Sequence, residues 1–219
     1  MIPIHLATLI QAVKQVAPEL VTNCRYIEKG NQIEYLGERS FAYELYRQWQ
    51  DLMENGIEDL VINVEVPKEC VNKTDFISKL EDLFGLTKEG KPHRRFHPDL
   101  VCHHSQFDSE YQEVICEIKT RKGINDNTKL NQDFKKLAAY MTNGILLCHP
   151  FKVGVFILVG GHFSDIEFAS NELIDNKKDD IYCILYNVKR VGNDEDIEYI
   201  PFIQCKSLKE IRYNNSKKI

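Results

Sequence analysis

Residues 96 to 119 read FHPDLVCHHSQFDSEYQEVICEIK, and the placement of apolar and charged residues in this stretch decides the fold. Phe96 to His104 and Tyr111 to Lys119 are extended in character, and the polar run from Ser105 to Glu110 suits a turn, so the two halves predict a hairpin. With the turn centred on Asp108, Leu100 faces Cys116, Cys102 faces Val114 and Pro98 faces Ile118. That register makes one sheet face wholly apolar, as a core-facing surface requires. It also sets Asp99 opposite Glu117, with Lys119 two residues further along on the same side.

Carboxylates paired in this way have Cβ atoms about 5 Å apart and destabilise a sheet unless positive charge lies between them. Lys119 and a hard divalent cation meet that need, and the main-chain carbonyl of Ile118 is a further candidate oxygen ligand. The expected cofactor is Mg²⁺, with Mn²⁺ as a substitute, and the expected reaction is phosphodiester hydrolysis. The cation would polarise the scissile phosphate and lower the pKa of a bound water. Lys119 would orient or deprotonate that water and steady the charge of the transition state.

Working outward, Ser40 to Glu54 places Phe41, Leu45, Trp49 and Leu52 at helical spacing before Gly56, and Ile57 to Val66 is β-branched up to Pro67, which predicts a helix and then a strand. A short helix is expected from Thr74 to Phe84. Beyond the hairpin, Asn127 to Met141 carries Leu130, Phe134, Leu137, Ala138 and Met141 on one helical face. Val153 to Val159 and Tyr182 to Val191 read as strands. At the start of the chain, Ile4 to Val16 predicts an amphipathic helix and Arg25 to Leu36 a hairpin about Lys29-Gly30-Asn31. Residues 192 to 219 read as an edge strand and a loose tail, with Asn193 to Glu198 a solvated acidic turn. The order helix, strand, strand, strand, helix, strand implies an α/β fold with a central mixed sheet flanked by helices.

Pro98-Asp99 followed by Glu117-Ile118-Lys119 resembles the PD-(D/E)XK signature of restriction-endonuclease-like nucleases, and the resemblance extends over the order of elements from about Ser40 to Val159. It implies a restriction-endonuclease-like αβββαβ core and a Mg²⁺-dependent nuclease, with double-stranded DNA and endonucleolytic cutting favoured and a homodimer compatible with cutting both strands. In that family a helix before the catalytic hairpin often supplies another acidic residue. Glu44, in SFAYELYRQW, matches that position as a catalytic residue and metal ligand, and helical spacing puts it between Phe41 and Leu45 on the inward side. The family also follows the ExK strand with a helix whose polar residues approach the site or the nucleic acid, a pattern that Gln132, Asp133 and Lys136 in NQDFKKL resemble.

Blander readings stand beside these. Taken alone, Asp99, Glu117 and Lys119 are a salt-bridge cluster on a solvated strand face. That reading loses ground because Val101 and Ile115 share the face, so the charges border a covered region. Cys102, His103, His104 and Cys116 invite a zinc site, but Cys102 and His103 point to opposite faces and the register turns Cys102 and Cys116 into the core. His97 reads as a surface histidine close to Lys119. Lys91, Arg94, Arg95, Arg121, Lys122, Lys135 and Lys136 gather in sequence around the ends of the site, as phosphate contacts that position a duplex without reading it or as solvated loop charges.

Composition sets the outer bounds. The 219 residues, 43% of them apolar, suit a single domain: an N-terminal extension (1–37), a catalytic core (38–160) and a C-terminal elaboration (161–219). A net charge of −5 excludes general electrostatic adhesion to nucleic acid, so any such contact must come from a local basic patch. Seven scattered cysteines without a CxxC pair, and no leader-like opening, predict a reducing, cytoplasmic setting. The most apolar stretch, Val153 to Gly161, falls well short of the roughly 20 residues that cross a bilayer, so no membrane partner is expected.

Overall fold

The structure is a computed structural model, and it describes residues 3–23, 34–35, 37–54, 60–64, 98–104, 112–120, 127–143, 145, 149–166, 171–192 and 198–216. Six strands form one mixed sheet in chain order: β3 (Leu60–Val64), β4 (Leu100–His104), β5 (Gln112–Thr120), β6 (Val153–Val159), β7 (Ile181–Val191) and β8 (Glu198–Ser207). The pairs β3/β4, β4/β5 and β7/β8 are antiparallel, whereas β5/β6 and β6/β7 are parallel. A parallel pair needs a crossover, and the helix α4 (Asn127–Tyr140) supplies it between β5 and β6. Every residue of β6 is buried, which is why VGVFILV shows no alternation: helices cover both faces of a parallel strand. Among the described residues the element order from α3 (Glu38–Glu54) to β6 is αβββαβ.

The register expected for the central hairpin is the one observed, with Leu100 opposite Cys116, Val101 opposite Ile115 and Cys102 opposite Val114. It slips between Cys102 and His103, where a bulge pairs His103 with Gln112. Leu100, Cys102, Val114, Cys116 and Ile118 lie in one apolar core, packed by α1 (Ile4–Gln15), α2 (Pro18–Val21) and α3. Val101 and Ile115 lie in the other, beneath α4, α5 (Glu172–Asp175) and α6 (Leu208–Ser216). Two polar ties hold the N-terminal helix in place: the Trp49 indole donates to Thr8 Oγ1 (3.3 Å), and the buried Tyr186 hydroxyl donates to the Val16 carbonyl (3.0 Å).

The tail departs from expectation. β8 is indeed an edge strand, but residues 208–216 are helical. The cause is a capping box that begins at Ser207: Glu210 Oε2 accepts the Ser207 N–H (2.7 Å), while Ser207 Oγ accepts the Glu210 N–H (3.2 Å), and Leu208 and Ile211 are buried. Most of the hairpin expected from Arg25 to Leu36 lies outside the described residues; the short strands β1 (Thr22–Asn23) and β2 (Glu34–Tyr35) are paired antiparallel. The expected helix Thr74 to Phe84, the turn at Ser105 to Glu110 and most of the acidic run after Asn193 lie outside the described residues. No helix among the described residues is long and apolar enough to cross a membrane.

Gly154 on β6 lies under the end of α4: a Cβ there would stand 2.5 Å from Met141 Sδ, 3.3 Å from Ile181 Cγ1 and 3.7 Å from Leu137 Cβ. Gly154→Val should therefore destabilise the protein by about 1–3 kcal/mol through overpacking, whereas Gly154→Ala should cost less because the Met141 side chain can turn aside. Urea unfolding of the two variants checks this; equal midpoints for wild type and Gly154→Val would mean that α4 does not seat on β6 here.

Candidate active site

Asp99 immediately precedes β4, and its backbone continues the ladder, with the Asp99 N–H donating to the Cys116 carbonyl at 3.1 Å. Its carboxylate is fixed from the neighbouring strand, because Asp99 Oδ2 accepts the Ile118 N–H at 2.7 Å. Glu117 and Lys119 follow on β5 from the face that carries Val101 and Ile115. Glu117 is almost wholly buried, at 1% exposure. The apolar cover over this face excludes water from it, so the charges must answer one another.

They do so through two ammonium groups. Lys119 Nζ lies 3.3 Å from Glu38 Oε2 and 3.6 Å from Asp133 Oδ2, and it also donates to the Ile118 carbonyl at 3.3 Å. Lys136 Nζ lies 2.5 Å from Glu117 Oε2 and 3.7 Å from Asp133 Oδ1. Asp99, Glu117 and Lys119 are thus brought together as expected, joined by Glu38 from the first turn of α3 and by Asp133 and Lys136 from α4. The carboxylates gather around ammonium nitrogens, and no group of three or more His, Cys, Asp and Glu side chains among the described residues has metal-coordinating spacing.

The electrostatics follow from burial. Asp99 holds its proton more tightly than an ordinary carboxyl because burial penalises the anion, and Lys119, Lys136 and the Ile118 N–H offset only part of that. Glu117 is raised well above the usual carboxyl range for the same reason, with Lys136 pulling against the shift and Asp99 and Asp133 adding to it. Burial alone would lower both lysines. The anions around them win, so Lys119 and Lys136 are both raised and stay ammonium.

The donor set is all oxygen, the kind a hard divalent cation takes. It consists of carboxylates and one main-chain carbonyl; Glu117 Oε1 and Asp133 Oδ2 are buried and accept no hydrogen bond among the described residues. With all groups ionised, the four carboxylates Asp99, Glu117, Glu38 and Asp133 against the two ammoniums leave a charge of −2, which one divalent cation cancels. Asp99, Glu117 and the Ile118 carbonyl would hold it.

Other expected site residues fall elsewhere. Glu44 is engaged within its own helix, accepting from Arg47 Nη2 (2.7 Å) and Gln48 Nε2 (2.8 Å), and the α3 carboxylate that meets the cluster is Glu38. Glu38 escaped the sequence reading because the helix was started at Ser40. The legible signal was its position three residues before Phe41, on the same inward face. Lys136 is a correction: it is buried, with its ammonium on Glu117, and does not offer it to a phosphate. Gln132 and Lys135 are half-buried on α4. Lys91, Arg94, Arg95, His97, Arg121 and Lys122 lie outside the described residues. The zinc reading fails on Cys102, whose thiol burial pushes up to about 12, and on Cys116, which is fully buried in the same core. His103 is turned to Asn63 Nδ2 (2.7 Å) and to the His104 carbonyl.

The raised carboxyls give a pH dependence of known sign. A carboxyl whose folded-state pKa exceeds its unfolded value contributes stability in acid, and that contribution is lost as pH rises through the folded-state value. In EDTA the urea midpoint should therefore fall as pH rises from about 4.5 towards neutrality. Glu117→Gln should flatten the fall. A divalent cation needs both carboxylates deprotonated, so the stabilisation it adds should grow over the same interval. A wild-type midpoint that climbs with pH in EDTA would contradict the raised values.

No family model matches this chain, and neither does any curated protein or solved structure, so its function rests on the chemistry of this cluster.

Proposed function

We propose that the chain is a divalent-metal-dependent nuclease that hydrolyses phosphodiester bonds, with Mg²⁺ as its cation, Mn²⁺ as a substitute, and double-stranded DNA cut internally as the favoured substrate. The observation that carries the proposal is the convergence of Asp99, Glu117 and Lys119 on one covered sheet face, in a cluster whose carboxylates outnumber its ammoniums. The αβββαβ order from α3 to β6 supports reading the core as restriction-endonuclease-like.

When bound, the cation supplies a Lewis acid for the phosphate and a more acidic water. The protein's part is positional and electrostatic. Asp99 is held at a fixed angle by the Ile118 N–H, so its second oxygen is presented without a search through rotamers. Lys119 is kept as an ammonium by Asp133, Glu117, Glu38 and Asp99, which suits it to steadying negative charge on phosphate oxygens and removes it as the base. The cover of α4 over Val101 and Ile115 lowers the local dielectric and strengthens each of these interactions. Cutting both strands of a duplex calls for a second site, which a homodimer would provide.

Asp99→Ala and Glu117→Ala should each lower Mg²⁺-dependent nicking of supercoiled DNA by about a hundredfold or more, and Lys119→Ala by about 10²–10³ with metal affinity little changed. Glu38→Gln should lower the rate more than Glu44→Gln, because only Glu38 touches Lys119. A folded Asp99→Ala protein with wild-type nicking would sink the assignment. Substrate order follows from the same charges. Without a cation the carboxylates repel phosphate, so Ca²⁺ should promote DNA binding in fluorescence anisotropy at fixed ionic strength while supporting little cleavage. Asp99→Asn should raise affinity in EDTA. Ca²⁺-dependent binding with no cleavage in Mg²⁺ or Mn²⁺ would favour a binding module on the same fold, and no binding to DNA or RNA under any condition would favour a protein-interaction role.

A further inference from the structure

We infer that Lys136 is a resident counter-ion of the site, which competes with the divalent cation for Glu117 and so sets how tightly that cation is held. The inference rests on reading the cluster as a divalent-cation site.

A lysine that serves a phosphate keeps its head in water and buries only its stem. Lys136 does the reverse: it is 5% exposed, and its ammonium is turned onto Glu117, the most buried carboxylate of the cluster, at 2.5 Å. The placement is costly, because an ammonium loses its hydration and a four-carbon stem loses its rotamer freedom. A second ammonium is already present at Lys119, and it meets Glu38 and Asp133 directly. What Lys136 adds is a charge for Glu117 itself, whose other oxygen, Oε1, accepts no hydrogen bond among the described residues. In a water-excluded site that carboxylate would otherwise be a lone buried anion.

The same contact opposes metal. An ammonium on Oε2 and a divalent cation on the same carboxylate repel each other strongly at the separations involved. Entry of the cation therefore favours departure of Lys136 from Glu117. Asp133 is placed to receive it: Oδ1 is already 3.7 Å from Nζ, while Oδ2 faces Lys119 at 3.6 Å. Asp133 and Lys136 are three residues apart on α4, so the exchange needs only side-chain rotation and no movement of the helix.

Calorimetric titration with Ca²⁺ alone, without nucleic acid and at fixed ionic strength, tests this on wild type and Lys136→Met. The variant should bind Ca²⁺ about tenfold more tightly or better, since a competing charge has gone. In EDTA it should melt below wild type, and saturating Ca²⁺ should raise its melting temperature by more than it raises that of wild type. If Lys136→Met does not fold, Lys136→Gln serves the same comparison, because it removes the charge and retains an N–H donor. Wild-type binding with equal or weaker binding by the variant overturns the counter-ion role and leaves the metal site standing. Absence of binding by both proteins overturns the metal site and this inference with it.

Discussion

The register of β4 on β5 is the constraint on which the rest of the structure depends. Side chains alternate along a strand, so a slip of one residue would send either Leu100 and Cys102 of β4 to the charged face, or Val114 and Cys116 of β5, carrying Glu117 into the apolar core. Either slip exposes buried apolar side chains to charge, which makes the register strongly determined. The bulge at His103 comes only after the last of these core pairs. The hydrogen bond from the Ile118 N–H to Asp99 is a product of the same register, because it joins the residue just before β4 to the strand beside it.

Once the register is fixed, the second core creates the chemistry. α4 lies over the face that carries Val101 and Ile115, and that cover strips water from Glu117 and leaves Asp99 half-buried. Burial accounts for the upward shift of both carboxyls, and the carboxylates in turn account for the upward shift of both lysines. Each ionised group is tolerable only because of the others, so the cluster behaves as one unit and not as a set of separate salt bridges.

Much of this was legible in the sequence. The apolar alternation of residues 98–118 specified the register and, with it, the meeting of Asp99, Glu117 and Lys119. The helical spacing of Leu130, Phe134, Leu137 and Met141 specified which side of α4 faces the sheet. Strand residues are easier to place than helical ones, since a period of two leaves two choices of face and a period of 3.6 leaves many. That difference explains the errors. Lys136 stands beside Leu137 on the helix; the resemblance of NQDFKKL to a site-approaching helix implied its nearness to the cluster, but its charge pointed to phosphate or solvent and not to burial on Glu117. Burial of Lys136 depends on the depth at which Glu117 sits below α4, a tertiary fact. The C-terminal helix was missed for a local reason: the capping box of Ser207 and Glu210 was present, but the polar residues behind it concealed the two apolar anchors, Leu208 and Ile211.

The hydroxyl of Tyr186 on the Val16 carbonyl joins positions 170 residues apart, and it bears on how the chain is made. α1 packs on α3 and touches β5 and β8, so this helix finds its full set of neighbours only when β7 and β8 have been synthesised. Until then its apolar face, Leu6, Leu9, Ala12 and Val13, has only part of its burial available. Assembly cannot run from the N-terminus forward in step with synthesis. The β7/β8 hairpin completes the sheet and the burial of α1 together, so the chain carries an incomplete core throughout the synthesis of the residues between them.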